Sequence, residues 1–273
     1  MPELPEVETV RNELLPYIIG RCVTGVTLLW EGIVRQPPAK EFCSRLIGQR
    51  LTGIARRGKY LIVGLSSDDL LIIHLKMTGS LLVGPDSSPP PKYTRAIIHL
   101  DNSTSIFFRD PRKFGLMRLV KDKNSIVGKL GPEPLEDDFT PRVLAQRLAK
   151  RKAPIKALLL DQGLIAGIGN MYADEALFEA KIHPLRGGAS LSQEEIDHLY
   201  TAIQRILRAA IGNKGASVDT YFRPDGTEGT AHFEFKVAHG LGGKTCLVCG
   251  TPVKRIVVRN RGTYFCPHCQ PEA

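Results

Sequence analysis

The sequence lacks long hydrophobic runs. No stretch approaches the roughly 18 consecutive apolar residues that a membrane-spanning helix needs. The first residues, Met1-Pro2-Glu3, are acidic rather than basic, and no apolar signal core follows them. These absences argue against a membrane partner and a secretory leader, so we expect a soluble protein inside the cell.

Glycine and proline are not in excess either. The 273 residues include 26 Gly and 19 Pro, which argues against a collagen-like or broadly disordered chain. With 42% hydrophobic residues the chain can bury a sizeable core, and its length predicts one large domain or two medium ones, of which we favour two. Lys and Arg total 37 against 28 Asp and Glu, and this net charge of +9 favours a polyanionic partner if the excess is clustered.

Cysteine is scarce except near the C-terminus. Cys22 and Cys43 lie far upstream of two Cys-x2-Cys pairs, and this spacing in an intracellular protein favours metal over disulfides. Each pair fits a tight turn, so four thiolates can converge on one structural zinc ion at about 2.3 Å. The predicted ligands are Cys246, Cys249, Cys266 and Cys269.

A basic hairpin is predicted between the two cysteine pairs. Its cations would offer phosphates a positive tip, although each arginine taken alone is better explained as a solvated surface residue. These cations are Lys254, Arg255, Arg259 and Arg261.

The N-terminal part of the chain combines one helix with short strands. Apolar residues recur at helical spacing from Val7 to Ile18, and Pro16 is expected to kink or end this helix before Gly20. The β-prone runs that follow, interrupted by a proline-rich exposed loop at 86–92, predict an antiparallel sandwich or barrel. The clearest strands are predicted at 60–65, 70–75, 95–100, 105–108 and 116–120.

Helix formers dominate after the segment 130–135, which is the predicted linker. Two helices are expected on either side of Pro154. Ser192 and Glu195 form a capping box before a long apolar-periodic helix that should end at Gly212. The second half is therefore expected to be helical to about residue 215.

Two loops have more than one interpretation. Gly167-Ile168-Gly169-Asn170 lacks the third glycine of a dinucleotide loop, so it is either a simple interhelical turn or an anion site at a helix N-terminus. The loop from Arg109 to Gly115 combines cations with an aromatic ring, which suits gripping phosphates and wedging a base stack but also fits a solvated turn. His74, on an apolar strand, would by itself be a packed core histidine.

Five segments, taken in order, carry a resemblance that covers essentially the whole chain. They are Pro2-Glu3-Leu4-Pro5-Glu6-Val7-Glu8, Arg57-Gly58-Lys59-Tyr60, Asp110-Pro111-Arg112-Lys113-Phe114-Gly115, Gly167-Ile168-Gly169-Asn170 and the four-cysteine finger. Together they resemble the bacterial formamidopyrimidine-DNA glycosylase (Fpg) family. The resemblance implies an α+β fold: an N-terminal antiparallel β-sandwich with flanking helices, a helical helix-two-turns-helix domain and a C-terminal β-hairpin zinc finger. We expect these domains at 1–132, 133–236 and 237–273.

The resemblance also implies covalent chemistry at the N-terminus. Removal of Met1 exposes the secondary amine of Pro2, and an α-amino group of pKa about 7.7 to 8.0 is partly neutral near pH 7. In the family this nitrogen attacks C1′ of the damaged nucleoside, releases the base and leaves an iminium that permits β- and then δ-elimination. Glu3 is implied as the general acid–base. Glu6 is implied as a further active-site carboxylate or as one that only orients the helix.

Other residues are implied to hold the DNA. Lys59 should reach the lesion and its phosphate, and the resemblance counts both Lys59 and Arg261 with the catalytic residues. The flanking phosphates are expected to contact His74, Asn170 and Arg261. The space left by the everted nucleotide is expected to be filled by Met77, Arg112 and Phe114, with Arg112 facing the orphaned cytosine.

The chain departs from the family pattern where the lesion is read. Val218-Asp219-Thr220-Tyr221 has Asp where an Arg usually precedes Thr-Tyr, His239 stands where many relatives have Tyr, and Thr78 replaces a Glu of some relatives. Backbone amides around Thr220 to Arg223 are still expected to read the carbonyl of the lesion, and we count Thr220 and Tyr221 among the DNA-binding residues.

The expected activity is that of a bifunctional DNA glycosylase and abasic-site lyase of base excision repair. Its expected substrates are oxidised purines in duplex DNA, chiefly 8-oxoguanine opposite cytosine and formamidopyrimidines, and abasic sites. Two alternatives are an endonuclease VIII-like enzyme for oxidised pyrimidines and a non-catalytic zinc-finger binder of damaged DNA. We expect one structural zinc, no other cofactor, a monomer, and a bacterial cytoplasmic location at the nucleoid.

Overall fold

The computed structural model of the protein describes residues 1–218, 220–238 and 242–272. They form two compact units. Unit 1 comprises Met1–Lys129 with Asn213–Thr230, and unit 2 comprises Leu130–Gly212 with Ala231–Ala273. The division into three domains at 1–132, 133–236 and 237–273 stays a prediction. Within the described ranges, no helix is long and apolar enough to cross a membrane.

Unit 1 is built from two sheets and the helices beside them. Its helices are α1 (Leu4–Ile18), α2 (Ala39–Leu46) and α3 (Asn124–Val127), with a 3₁₀ turn at Glu31–Ile33. Its strands are β1 (Val23–Leu28), β2 (Val34–Gln36), β3 (Leu51–Arg57), β4 (Tyr60–Leu65), β5 (Leu70–His74), β6 (Ser80–Pro85), β7 (Thr94–Leu100), β8 (Thr104–Arg109) and β9 (Leu116–Val120).

The two sheets of unit 1 share one hydrophobic core with α1. One sheet has the order β2-β9-β5-β4-β3 and the other the order β1-β7-β8-β6. The strand pairs are antiparallel except β2 with β9, which pair in parallel. Inward-facing side chains of both sheets pack in this core, among them Leu61, Ile73, Ile98 and Phe108. The expected β-sandwich with flanking helices is therefore confirmed.

The helix α1 runs past the proline that was expected to end or kink it. Pro16 lies inside the helix, and the amide of Ile19 still donates to the carbonyl of Leu15 at 3.2 Å. A proline in the last turn removes only one helical donor, so the helix continues for two residues and ends before Gly20, which has φ +75°. The buried face of α1, from Val7 to Ile18, packs in the core as expected.

Unit 2 is helical and ends in a β-hairpin. Its helices are α4 (Pro141–Leu148), α5 (Ile155–Leu159), α6 (Asn170–Glu179) and α7 (Gln193–Gly212), with 3₁₀ turns at Gly188–Ser190 and Ala231–Glu234. Its strands are β10 (Lys254–Val258) and β11 (Arg261–Phe265). The expected capping box of α7 is present, because Ser192 N donates to Glu195 Oε2 at 2.8 Å and Glu195 N donates to Ser192 Oγ at 3.2 Å. The helix ends at Gly212, as expected.

Candidate active site and zinc centre

The chain's first residues form a buried, hydrogen-bonded helix start. Pro2 is buried, Glu3 is 1% exposed, and Glu6 is completely buried. Glu3 caps α1 in a capping box with Glu6, and Glu3 N donates to Glu6 Oε2 at 2.7 Å. The other oxygen of Glu6, Oε1, accepts a hydrogen bond from Ala216 N at 2.8 Å. The carboxylate of Glu6 is thus held on both oxygens by backbone donors, and it ties α1 to the segment Asn213–Thr230.

Lys59 lies in the tight turn between β3 and β4. Gly58 adopts φ +55° there, a conformation that glycine takes without the steric cost a side chain would bring. Lys59 follows Gly58 in this turn and is only 7% exposed. Tyr60, the next residue, pairs in register with His74 on β5, so Lys59 and His74 lie at the same end of these strands.

His74 is held in one protonation and tautomeric state. The amide of Lys76 donates to His74 Nδ1 at 2.9 Å, and the ring packs edge-on against Tyr60 with centroids 4.5 Å apart. Burial, and then the charges of Lys76 and Lys59, lower the pKa of His74 to about 3. Because Nδ1 accepts a hydrogen bond, the neutral ring carries its proton on Nε2. His74 therefore offers a neutral N–H donor near physiological pH.

The loop after β8 is organised around a fully buried carboxylate. Asp110 Oδ2 accepts from Gly115 N at 2.7 Å, and Oδ1 accepts from Arg112 N at 3.3 Å. The guanidinium of Arg112 lies over the ring of Phe114 at 4.7 Å, and Phe114 is 45% exposed. The loop therefore presents a stacked cation and aromatic ring at the surface on a rigid base.

The hydroxyl of Thr78 joins the turn that carries Met77 to this loop. Thr78 Oγ1 donates to Asp110 Oδ1, and Arg112 N donates to Thr78 Oγ1 at 3.3 Å. Met77 is half-buried and directly precedes Thr78. This hydrogen-bond network joins Thr78, the neighbour of Met77, to the loop that carries Arg112 and Phe114, although the two segments are distant in the chain.

The segment expected to read the lesion is held by β6 and by its own turn. Ser80 Oγ donates to the carbonyl of Thr220 at 3.3 Å and accepts from the amide of Phe222 at 3.3 Å. The amide of Arg223 donates to the carbonyl of Thr227 at 2.9 Å. Two of the amides expected to read a lesion are thus engaged within the protein. Asp219 and His239 lie outside the described residues.

Tyr221 contributes a buried side chain to this segment. The single proton of its hydroxyl is shared between the carbonyl of Glu6 at 3.4 Å and that of Lys214 at 3.3 Å. Burial, and then the carboxylates of Glu6 and Glu13, raise the pKa of Tyr221 well above its usual value, so the phenol stays protonated. The side chain of Tyr221 therefore anchors the segment to α1.

In unit 2, Asn170 lies at the start of α6 and contacts the hairpin. Its Nδ2 donates to the carbonyl of Gly262 at 2.8 Å, while its buried Oδ1 has no hydrogen-bond partner among the residues that the structure describes. Gly262 follows Arg261, the first residue of β11. The hairpin turn is Arg259-Asn260, and both residues have positive φ, which is typical of a type I′ turn.

A buried ion pair supports the contact between α6 and the hairpin. Lys156 is fully buried, and its Nζ lies 2.5 Å from Asp174 Oδ1 and 2.6 Å from the carbonyl of Asn170. The other oxygen of Asp174 accepts from the amide of Tyr264 on β11 at 3.2 Å. A chain of hydrogen bonds therefore runs from α5 through α6 to the hairpin.

The four C-terminal cysteines converge as a metal site. Their sulfur atoms all lie within 4.8 Å of one another, with Cys249 to Cys266 at 3.4 Å and Cys246 to Cys269 at 4.0 Å. A tetrahedral zinc thiolate centre with bonds of about 2.3 Å has sulfur–sulfur edges of about 3.8 Å, so this donor set fits zinc. With four protein ligands the coordination is complete, and the zinc is structural.

Three protein-family models match successive segments of the chain. Residues 1–117 match the formamidopyrimidine-DNA glycosylase N-terminal domain, 130–221 match the H2TH domain of that enzyme, and 243–271 match the zinc finger found in FPG and IleRS. The formamidopyrimidine-DNA glycosylase of Chloroflexus aurantiacus is 45% identical over 99% of this chain and 98% of its own length. That of Geobacillus kaustophilus is 42% identical over 99% of this chain and 100% of its own.

Solved structures of Fpg proteins align with nearly the whole chain. A mutant of Lactococcus lactis Fpg in complex with Fapy-dG-containing DNA aligns with a TM-score of 0.93 at 36% identity, covering 99% of this chain and 100% of that one. The MutM (Fpg) protein of Thermus thermophilus aligns with a TM-score of 0.89 at 38% identity, with both chains fully covered. The fold and the four-cysteine centre thus define a zinc-containing DNA glycosylase with a helix-two-turns-helix domain. The chain belongs to the formamidopyrimidine-DNA glycosylase family.

Several structurally important residues were missed by sequence reasoning. They are Glu13, Ser80, Lys156, Asp174, Glu175 and the side chain of Arg223, of which only the backbone amide was expected to act. Glu175, for example, is buried in α6 and accepts hydrogen bonds from the amides of Lys236, Val237 and Ala238. Ionisable residues on an otherwise apolar face of α6 were the available signal, because such groups are rarely buried without partners.

Proposed function

We propose that the protein is a bifunctional glycosylase and abasic-site lyase that excises oxidised purines from duplex DNA. Its substrates are 8-oxoguanine opposite cytosine and formamidopyrimidines. The observation that carries the proposal is the buried start of α1, where Pro2 and Glu3 are fixed in a chain that belongs to this family. The relatives bound to Fapy-dG-containing and abasic-site-containing DNA support the same class of substrate.

Pro2 is the proposed nucleophile after Met1 is removed. The neutral amine forms a bond to C1′ of the lesion nucleoside while the bond from C1′ to the base breaks and the base leaves with its electron pair and a proton. The bond from C1′ to the sugar ring oxygen then breaks as that oxygen takes up a proton, and this opens the sugar and leaves an iminium between Pro2 and C1′. The iminium acidifies the protons at C2′. Their loss drives β-elimination of the 3′ phosphate, and δ-elimination of the 5′ phosphate follows.

Glu3 is the proposed proton donor and acceptor in this reaction. It directly follows Pro2 and is almost fully buried, so a proton on its carboxyl group can be delivered to the sugar ring oxygen away from bulk water. Glu6 has a different proposed role, because backbone amides occupy both of its oxygens. Glu6 then positions the start of α1 and does not transfer protons.

We propose that four residues bind the phosphates on either side of the lesion. Lys59 supplies a charge at its tight turn, and His74 supplies the neutral Nε2–H donor described above. Asn170 and Arg261 supply an amide and a guanidinium on α6 and at the hairpin. These contacts would offset the few kcal/mol that everting a nucleotide costs. The proposed phosphate contacts are Lys59, His74, Asn170 and Arg261.

Met77, Arg112 and Phe114 are the proposed wedge that replaces the everted nucleotide. The exposed ring of Phe114 and the stacked guanidinium of Arg112 suit insertion between bases, with Arg112 bonding to the unpaired cytosine. The lesion carbonyl is read by the remaining amides, those of Thr220 and Tyr221, because Phe222 and Arg223 use theirs within the protein.

Two experiments test the proposal. Parallel cleavage of 8-oxoguanine:cytosine and thymine glycol duplexes separates the purine enzyme from an endonuclease VIII-like one, and faster pyrimidine cutting would reverse the assignment. Borohydride added during the reaction should trap the protein on lesion DNA. A Met-free preparation that yields no adduct would favour a non-catalytic zinc-finger binder. A preparation carrying one extra uncleaved residue before Pro2 is the control, which should bind zinc but neither form the adduct nor cut.

A further inference from the structure

The segment that follows α7 is fixed to α1 by a bidentate ion pair. Arg223 Nη2 donates to Glu13 Oε1 at 2.8 Å, and Arg223 Nε lies 3.1 Å from both carboxylate oxygens of Glu13. Both side chains are about one-fifth exposed, at 23% for Arg223 and 19% for Glu13. Two parallel charge-assisted hydrogen bonds fix the angle of the guanidinium as well as its distance.

The turn that contains Arg223 is closed by its own residues and by β6. Arg223 Nη1 donates to Thr227 Oγ1 at 2.8 Å, and the two residues are also joined through their backbones. The carbonyl of Pro224 accepts from the amide of Val83 at 2.8 Å, and Asp225 Oδ1 accepts from Thr227 N at 2.9 Å. The turn is therefore a rigid unit, and Glu13 is its ionic link to α1.

The same helix carries the proposed nucleophile. α1 begins directly after Pro2 and Glu3, and Glu13 lies on its third turn. The hydroxyl of Tyr221 also contacts α1 through the carbonyl of Glu6. One helix thus fixes the position of the reacting amine at its start and that of the segment Tyr221–Arg223 further along.

We propose that Glu13 and Arg223 form a positioning clamp that sets the preference for an oxidised base over a bare abasic site. The proposal rests on the proposed function, in which the amides of Thr220 and Tyr221 read the lesion carbonyl. A clamped segment holds these donors in place before the base arrives, so less ordering is needed on binding. An abasic site has no base to be read. Its cleavage needs Pro2 and Glu3 but not the clamp.

The test compares two substrates across a set of matched variants. Glu13→Gln removes the charge with little change in shape, Arg223→Gln removes the other partner, and the double variant removes both. The control is Glu195→Gln, which breaks a bidentate ion pair with Arg186 at 3.0 and 3.2 Å on α7, outside the proposed site. Each protein is assayed for kcat/KM on an 8-oxoguanine:cytosine duplex and on the same duplex with an abasic site.

The expected result is a selective loss. Each single clamp variant should lower kcat/KM on 8-oxoguanine by about 10-fold, with cleavage of the abasic duplex within about 3-fold of the wild type. The double variant should be no worse than the poorer single one, because the two residues act as a pair. The Glu195→Gln variant should keep the wild-type ratio of the two rates. An equal loss on both substrates, or an unchanged rate on 8-oxoguanine, would overturn the clamp.

The effect of Glu13 on the turn can also be measured without an activity assay. Hydrogen exchange of the amides of Arg223 and Gly226, both hydrogen-bonded within the turn, should be about 10-fold faster in the Glu13→Gln variant than in the wild type. Unchanged exchange would show that Glu13 does not hold the turn. Failure of the proposed function is a separate outcome, since the wild type itself would then form no borohydride-trapped adduct with 8-oxoguanine duplex.

Discussion

The buried ion pair between Lys156 and Asp174 allows a quantitative stability prediction. Both side chains are essentially inaccessible, with Lys156 at 0% and Asp174 at 1% exposure. Replacing Lys156 with Met fills a similar volume but leaves the carboxylate of Asp174 without its cation. Removal of one partner of a buried pair costs about 3–5 kcal/mol, because the remaining carboxyl group must either keep a desolvated charge or take up a proton. Burial already raises the pKa of Asp174 to about 7 with Lys156 present, and loss of the cation raises this pKa further. We expect a loss of this size for Lys156→Met.

Urea unfolding followed by far-UV circular dichroism measures this loss. With an m-value of about 2–3 kcal/mol/M, the midpoint should fall by about 1–2.5 M. The control is Lys152→Met, the same substitution at an exposed neighbour, which should change stability by no more than about 0.5 kcal/mol.

Replacing both partners tests the origin of the loss. The double variant Lys156→Met/Asp174→Leu removes both charges of the pair. It should therefore recover most of the stability and retain a deficit of about 1 kcal/mol for the lost hydrogen bond to the amide of Tyr264. A Lys156→Met midpoint equal to that of the wild type would refute the reasoning, as would a double variant less stable than the single one.

Three further predictions concern His74, Thr78 and zinc. The ring of His74, with a pKa of about 3 against 6.5 for the free side chain, should show a neutral Nε2–H tautomer by nitrogen NMR from pH 5 to 8. Because the unfolded chain binds this proton more readily than the folded one, the free energy of unfolding should be unaffected by His74 above pH 6.5. It should fall by about 1.4 kcal/mol per pH unit as the pH drops from 6.5 toward 3. A titration midpoint of the His74 ring near 6.5 would contradict this. Thr78→Val removes the hydroxyl that bonds to Asp110 and Arg112, and it should reduce the preference for cytosine over adenine opposite 8-oxoguanine by about 10-fold. Thr78→Ser keeps the hydroxyl and should keep the preference. Equal discrimination by both variants would argue against a role for this hydrogen-bond network. Chelation of zinc should abolish duplex binding. The fluorescence of Trp30, which is the only tryptophan and belongs to unit 1, should stay unchanged. Retained binding would show that the zinc finger is not needed for DNA recognition.

Local patterns in the sequence predicted much of the fold. The periodicity from Val7 to Ile18, the capping box at Ser192 and the spacing of the cysteines each depend on neighbours in the chain, and all three are confirmed. The parallel pairing of β2 with β9 was not predicted, because it joins residues more than 80 positions apart. Contacts between distant segments also explain why Pro16 did not end its helix. Ile18 packs in the core, and this packing outweighs the one hydrogen bond that the proline removes.

Motifs in the sequence predicted residues for the candidate site, but they did not indicate the tertiary contacts that hold the site in place. Pro2, Glu3 and Lys59 lie in segments that resemble the family, and the resemblance also implies His74. The structure describes all four residues as buried. The partners that fix neighbouring parts of the site come from distant segments: Ala216 for Glu6 and Glu13 for Arg223. Nothing near these residues in the sequence indicates such contacts, because tertiary structure alone brings them together.

Peptide mapping of the borohydride-trapped complex tests the central claim most directly. Digestion of the adduct with an 8-oxoguanine duplex, followed by tandem mass spectrometry, locates the amino acid that carries the reduced sugar. We expect it on the nitrogen of Pro2, in a chain from which Met1 has been removed. A linkage to Lys59 or to any other residue would contradict the mechanism, even if the duplex were still cut.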